Sequence, residues 1–242
     1  MRKNSKNMQH QYIDIKKFEE MTGVIFKDAD IAREACTHRS YLNENKKSNW
    51  AHNERLEFLG DAVLELVVTD HLFKKYPNRT EGDLTAYRAA LVNSVTLARA
   101  AGRMGLNDFM LLSRGEAKDT GKARQYILAN AFEAVIGAIY MDQGYGETEK
   151  FIAGELFSEL EEIVEKELWR DAKSFFQEKA QEHTSITPAY KVLNEEGPDH
   201  DKEFTMGVFL GDELVSKGIG KSKQEAEQDA ASKGLEKKKW SE

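Results

Sequence analysis

One cysteine stands among the 242 residues, which excludes an intramolecular disulfide and a cysteine-built zinc site. Cys36 therefore reads as a small buried residue in a protein of a reducing compartment, and the cytoplasm is the expected location. Prolines are also scarce, with three in all, and Pro77 falls in a turn between helical segments. No apolar run approaches the ~18 residues of a membrane-spanning helix. The start, "MRKNSKNMQHQY", is basic and polar with no apolar stretch behind it, so no secretory signal is expected. An excess of positive charge is missing too: the net charge is −7. That does not exclude a polyanionic partner, because nucleic-acid binding needs a local basic stripe and not a basic total. What is present is an apolar fraction of 40%, enough for a real core, and 32% charged residues. The length suits one large domain or two modest ones.

From Phe18 to about Lys166 the pattern is helical. "FKDADIAREACTHRSYL", "TEGDLTAYRAALVNSVTLARAAGRMGL" and "QYILANAFEAVIGAIYMDQG" place apolar residues three and four apart. Thr80 or Glu81 opens the second of these, and Gly105 and Gly144 suit helix ends. A further helix, roughly 146–168, runs into the charge-rich "ELEEIVEKELWRD", read as a solvated face leading to a linker. After Asp171 the grammar changes. "DAKSFFQEKAQEH" is a short amphipathic helix, followed by three strand-like runs, "PAYKVLNEEG", "KEFTMGVFLG" and "ELVSKGIG", with "GDE" as a hairpin turn. Ser222 then caps a last helix whose buried stripe is Ala226, Ala230, Ala231 and Leu235. The order is α-β-β-β-α. Its terminal "LEKKKW" reads as a frayed helix end.

The stretch "NERLEFLGDAVLEL" carries an unusual load for an apolar helix. At ~100° per residue, Glu54, Glu57 and Asp61 fall within roughly 60° of one another, and Glu65 shares the stripe. Phe58, Ala62 and Leu66 on the other flank are expected to pack. A second helix repeats the theme, since Asn130 and Glu133 are i, i+3 neighbours among apolar residues. Gly60, Ala134 and Gly137 would let the two helices approach closely. Gathered carboxylates repel one another and are costly to bury unpaired. A hard divalent cation resolves both problems, and Mg²⁺ with oxygen ligands is the natural candidate. A plain solvated face is the competing account, and spacing alone leaves both open.

More than spacing is present. "NERLEFLGDAVLEL" resembles the signature of the ribonuclease III family, and "THRSYLNE", "EGDLTAYRAALV" and "ILANAFEAVIGAIYMD" match in the same order. The second domain is similar to a double-stranded-RNA-binding domain through "FFQEKAQ", "PAYKV", "GPDH" and "GIGKSKQEAEQDAA". The resemblance implies a multidomain protein: an all-α catalytic domain over 12–167, then a small α+β binding domain over 171–240. It also implies a homodimer that hydrolyses both strands of duplex RNA to 5′-phosphates and short 3′ overhangs, in ribosomal-RNA and messenger-RNA processing. Glu57, Asp61, Asn130 and Glu133 would hold Mg²⁺, with Mn²⁺ as a substitute, and Asp61 and Glu133 would be most sensitive to substitution. Glu54 and Glu81 match further acidic positions. Phe58 would insert into the partner subunit, although core packing explains its spacing equally well. Asn130 departs from the family's usual aspartate, and its amide brings an oxygen ligand without charge. That departure keeps a rival alive: a duplex-RNA-binding protein with a weakened centre.

In the binding domain the resemblance assigns Gln177 and Gln181 to one RNA minor groove and His200 to the next, a mode that reads shape over roughly 16 base pairs. Lys221, Ser222 and Lys223 stand at a helix start, where the dipole also favours phosphate. Gln224 replaces a second consecutive lysine common in the family. Neither an organic cofactor nor a membrane is implied. "GEAKDTGK" fails as a phosphate loop, because five residues separate its glycines where four are needed and Ala123 follows the lysine. His38, His52 and His71 lack metal-ligand spacing, and Ser40 has no evident base partner.

Overall fold

The computed structural model describes residues 13–46, 48, 50–167, 169, 171–198 and 202–240. The chain divides into two compact units, Met1–Trp169 and Arg170–Glu242. In the first, α1 (Ile15–Thr22), α2 (Ala29–Ala35) and α3 (Arg39–Glu44) precede the long α4 (Glu54–Lys75). Then come α5 (Glu81–Leu91), α6 (Ser94–Arg103), α7 (Lys122–Gln143) and α8 (Tyr145–Glu165). Local chemistry sets these ends. Thr80 and Asp83 form a reciprocal capping box at α5, and Asn93 accepts from the Val95 and Thr96 amides to start α6. Two segments that read as single helices are thus each two: Cys36, Thr37 and His38 separate α2 from α3, and Val92 and Asn93 separate α5 from α6. Periodicity survives such breaks, since each costs only two or three residues.

Helices α4 and α7 form the central pair, and α7 is buried along most of its length, from Ala129 to Ile139. The buried face of α4 is Leu56, Gly60, Val63, Leu64, Val67, Val68 and Leu72. This corrects the expected packing of Phe58, Ala62 and Leu66, which are exposed. The helix is apolar on two faces, and periodicity cannot say which one meets its own core. Asn53, 2% exposed, pins the start of α4: its amide N–H donates to the Thr37 carbonyl and its Nδ2 to that of Ala35. The acidic run at the end of α8 is partly anchored, with Glu159 paired to Arg99 and Arg103 and Glu161 to Lys75. Among the described residues no helix is long and apolar enough to cross a membrane.

The second unit opens with α9 (Ala172–Thr184), capped by the Asp171 carboxylate, which accepts from the Ser174 amide. Strands β1 (Ala189–Glu196), β2 (Glu203–Leu210) and β3 (Glu213–Gly220) form an antiparallel sheet in the order β1-β2-β3, and α10 (Lys223–Lys238) follows. The expected stripe of Ala226, Ala230, Ala231 and Leu235 is buried. Gly218 lets α10 lie flat on the sheet, since a Cβ there would stand 2.1 Å from the Ala230 nitrogen. The chain's last described turn is not frayed, contrary to expectation. Lys237 Nζ donates to the Val215 carbonyl, the Trp240 amide donates to that of Leu235, and the Trp240 ring packs against His183 and Phe176.

Candidate metal and RNA-binding sites

At the crossing of α4 and α7 the backbones nearly touch. A Cβ on Gly60 would lie 1.8 Å from the Glu133 carbonyl oxygen, and one on Gly137 would lie 2.2 Å from that of Leu56. Only glycine fits at both places, and their close approach brings the acidic edge of α4 beside Asn130 and Glu133 of α7. The electrostatics record the result. Burial pushes the Glu133 carboxyl up to about 7, with the charges of Asp61 and then Glu57 adding to the shift. Glu57 is also raised, first by burial and then by the charge of Glu54, while a hydrogen bond from the Asn130 amide opposes the rise. Since an amide donates only through nitrogen, it is Asn130 Nδ2 that serves Glu57, and the amide oxygen takes no part in that bond.

Three acidic side chains therefore sense one another across two helices. Glu57 and Glu133 are half-buried, and Asp61 lies on the exposed rim. Among the described residues no three His, Cys, Asp or Glu side chains close into a ready-made metal cage. The donor set still fits a hard divalent cation. It is all oxygen, open on one side, and carries like charges that no basic side chain among the described residues pairs with. Mg²⁺ uses few protein oxygens and keeps several waters, so an open set suits it.

The other acidic candidates separate. Glu65 is withdrawn from the stripe by Arg88, whose Nε donates to it at 2.8 Å. Glu54 stands at the start of α4, 3.7 Å from Arg39 Nη1 and 3.7 Å from His52 Nδ1, and acts on Glu57 through its charge. Glu81 opens α5 and accepts from Thr85 Oγ1 at 3.1 Å. It lines a cleft with Thr69 and Phe73, about 12 Å along α4 from Asp61 at 1.5 Å per residue. Phe58 is 81% exposed, with Leu66 at 57% and Phe73 at 72% on the same stripe, so its reading as core of its own subunit is wrong. Ser40 also needs correction, because His38 Nδ1 lies 2.8 Å from its hydroxyl. That ring nitrogen also accepts the Ser40 amide, and the hydroxyl accepts the Ser113 amide, so the pair locks the start of α3 to the Ser113 turn.

In the second unit, Gln177 and Gln181 are exposed on one face of α9 and share a shallow groove with Ser174, Glu178 and Glu182. Ser222 caps α10 by accepting the Glu225 amide, and Lys221 and Lys223 flank it on the surface. Lys223 is not a free solvated cation, since its Nζ lies 3.2 Å from Glu195 Oε1 and 5.5 Å from the Phe204 ring centre. Sequence spacing held no sign of Glu195, because the pairing joins β1 to α10 across the sheet. His200 lies outside the described residues.

Comparison with known proteins bears on both units. A family model described as Ribonuclease-III-like matches residues 28–160, and one described as Double-stranded RNA binding motif matches residues 172–238. "Ribonuclease 3" of Anoxybacillus flavithermus is 43% identical over 231 residues, covering 96% of this chain and 97% of that protein. "Ribonuclease 3" of Borreliella burgdorferi is 42% identical over 223 residues, covering 91% and 90%. Among solved structures, a nuclease domain of ribonuclease III from Campylobacter jejuni superposes with a TM-score of 0.53 at 40% identity. It covers 59% of this chain and 98% of its own, and it is described as flexible in a region involved in dimer formation.

Proposed function

The chain belongs to the ribonuclease III family and is an endoribonuclease of double-stranded RNA, and from that premise we propose which of its residues carry the reaction. The catalytic domain is taken as 12–167 and the RNA-binding domain as 171–240. Glu57, Asp61 and Glu133 hold a divalent cation, Mg²⁺ or Mn²⁺ in its place, with the Asn130 amide oxygen as a neutral fourth ligand. The observation that carries this assignment is the raised Glu133 carboxyl at a crossing where both helices need glycine. When bound, the cation supplies a water acidic enough to lose its proton near neutral pH, and positive charge for the scissile phosphate.

The protein's own groups set the conditions. Burial at the crossing keeps Glu57 and Glu133 in a poorly hydrated seam, where their charges are felt strongly. Asn130 Nδ2 orients the Glu57 carboxylate by donating to it. Asp61, on the exposed rim, is the carboxylate an RNA backbone reaches first. Gln177 and Gln181 present amides to a minor groove, where 2′-hydroxyls identify RNA. Lys221, Ser222 and Lys223 receive phosphate at the start of α10, and His200 contacts the next minor groove. Glu54 and Glu81 stay outside the ligand set.

The active form is a homodimer, in which the exposed stripe of Phe58, Leu66 and Phe73 packs against the partner. Cytoplasmic processing of structured precursors, ribosomal RNA among them, is the expected role. Labelled duplex RNA incubated with the protein in chelator or in Mg²⁺ tests the whole assignment. Metal-dependent fragments with 5′-phosphates support it, whereas retarded but uncut RNA at every metal concentration returns the rival in which Asn130 disables the centre.

A further inference from the structure

One of the lysines assigned to RNA phosphate, Lys223, is already occupied. Glu195, near the end of β1, pairs in register with Phe204 of β2, and it holds two cations at once. Its Oε1 lies 3.2 Å from Lys223 Nζ and its Oε2 lies 3.6 Å from Lys202 Nζ. The ammonium of Lys223 rests over the Phe204 ring, so Glu195, Phe204 and Lys223 form one surface cluster joining β1, β2 and α10. The neighbouring Glu196 is differently engaged, accepting from Asn194 Nδ2 at 2.6 Å. From this arrangement we propose that Glu195 is an affinity-setting residue of the RNA-binding domain, a resident anion, held also by Lys202, that duplex RNA must displace from Lys223. The proposal deepens the RNA-binding reading and rests on it.

The physics favours masking over assistance. An RNA phosphate that reaches Lys223 must approach a carboxylate already 3.2 Å from the same nitrogen. Two anions then share one cation, or the carboxylate leaves and gathers a counterion from solution. Either way the net release of counterions is smaller than an unmasked Lys223 would give, and counterion release drives the affinity. The lowered carboxyl pKa of Glu195, caused first by its hydrogen bond with Lys223, agrees with a site whose negative charge is fully developed. Acidic residues outnumber lysines between Asp171 and Glu242, so the domain has few spare cations to compensate. The exposed pairs are individually weak, which makes the mask adjustable and not a block.

The test measures binding of the full chain to a duplex RNA of about 20 base pairs in chelator, where cleavage is absent, across a salt series. Glu195→Gln is expected to tighten binding about three- to tenfold at low salt, the range spanned by removing one or two exposed ion pairs. Its slope of log affinity against log salt is expected to steepen by about one unit or less. Glu196→Gln removes the same charge one residue away and is expected to change affinity less than about twofold. Glu195→Thr, which suits a strand, repeats the measurement should the first variant fold poorly. Lys223→Gln tests the underlying reading and is expected to weaken binding. If Lys223→Gln weakens binding but the Glu195 variants do not tighten it, or if Glu196→Gln tightens it equally, the masking role is overturned. If Lys223→Gln leaves affinity unchanged, the RNA-binding face itself is misassigned and the masking role falls with it.

Discussion

At the crossing of α4 and α7, Glu133 faces two other carboxylates across a poorly hydrated seam; on the sheet of the second unit, Glu195 stands between two lysines at the surface. The same side chain is shifted in opposite directions by these surroundings. Burial and like charges push the Glu133 carboxyl up to about 7, whereas hydrogen bonding to Lys223 lowers that of Glu195. The first site is left electrically unfinished by its own fold, and in the proposed assignment a cation from outside completes it. The second is complete before any ligand arrives, so a ligand has to compete. Substitutions are therefore expected to act strongly at the first site and weakly at the second.

The largest effect is expected from Glu133→Gln, which keeps the shape and removes the charge. Losing a metal-binding oxygen worth several kcal/mol corresponds to a fall in cleavage of about a thousandfold or more. Binding of duplex RNA in chelator is expected to stay within about threefold, because the lysines proposed to meet phosphate belong to the other unit. A loss of binding equal to the loss of cleavage would erase the division of labour between the two regions.

Next is the seam itself. Gly60→Ala would put a Cβ 1.8 Å from the Glu133 carbonyl oxygen, a backbone atom that cannot swing aside. Overpacking of this kind is expected to cost about 3 kcal/mol and to lower the melting temperature by roughly 6–12 °C. Gly154→Ala on α8 meets nothing within 4 Å and is the matched control. It is expected to be neutral or to stabilise by up to about 1 kcal/mol. Equal melting of the two variants would mean that close approach is not what holds the carboxylates together.

This seam was legible in the sequence, because glycine and carboxylate repeat at helical spacing in both segments. The second unit was legible too, through alternation, turn residues and a capped final helix. The orientation of α4 was not, since Phe58, Ala62 and Leu66 make as good an apolar stripe as the residues that are buried. Periodicity reports that a face is apolar without saying whose surface covers it. The Glu65–Arg88 and Glu195–Lys223 pairs were hidden for a different reason. Each joins residues distant in sequence, and charge patterning along one segment carries no record of them.

The pH dependence of the metal-free protein sharpens the contrast further. Glu133 has a folded pKa of about 7 against an ordinary 4.5, so between those values the folded state binds more protons than the unfolded one. Stability then falls as pH rises through that window. Thermal melts in chelator at about pH 5 and about pH 8 are expected to show the decline, with Glu133→Gln losing much of it. Mg²⁺ is expected to restore stability at the higher pH by binding only the folded form. A metal-free melting temperature that rises over the same window in the wild type alone would reverse the sign and remove the strain argument.

Asn130→Asp tests the same seam with a smaller step. It adds a charge for the cation to meet but removes the amide donor that steadies Glu57. Two opposite results are expected together. The Mg²⁺ concentration for half-maximal cleavage falls about tenfold, and stability in chelator drops as another like charge enters the seam. An unchanged metal titration would show that the Asn130 oxygen does not face the ion.

The smallest effect is expected at Gln224, where lysine would add a cation beside Lys223. A fully available phosphate contact would steepen the salt slope by about one unit. Gln224 lines a polar groove with Asp171, Lys173 and Tyr190, however, so the new ammonium meets the Asp171 carboxylate. That carboxylate caps α9 through the Ser174 amide and is not free to withdraw. Gln224→Lys is therefore expected to tighten RNA binding only about two- to threefold, with a slope change well under one unit. A full unit would mean that a lysine here escapes its acidic neighbour, and that compensation at this surface is local to Glu195 and not a property of the whole domain.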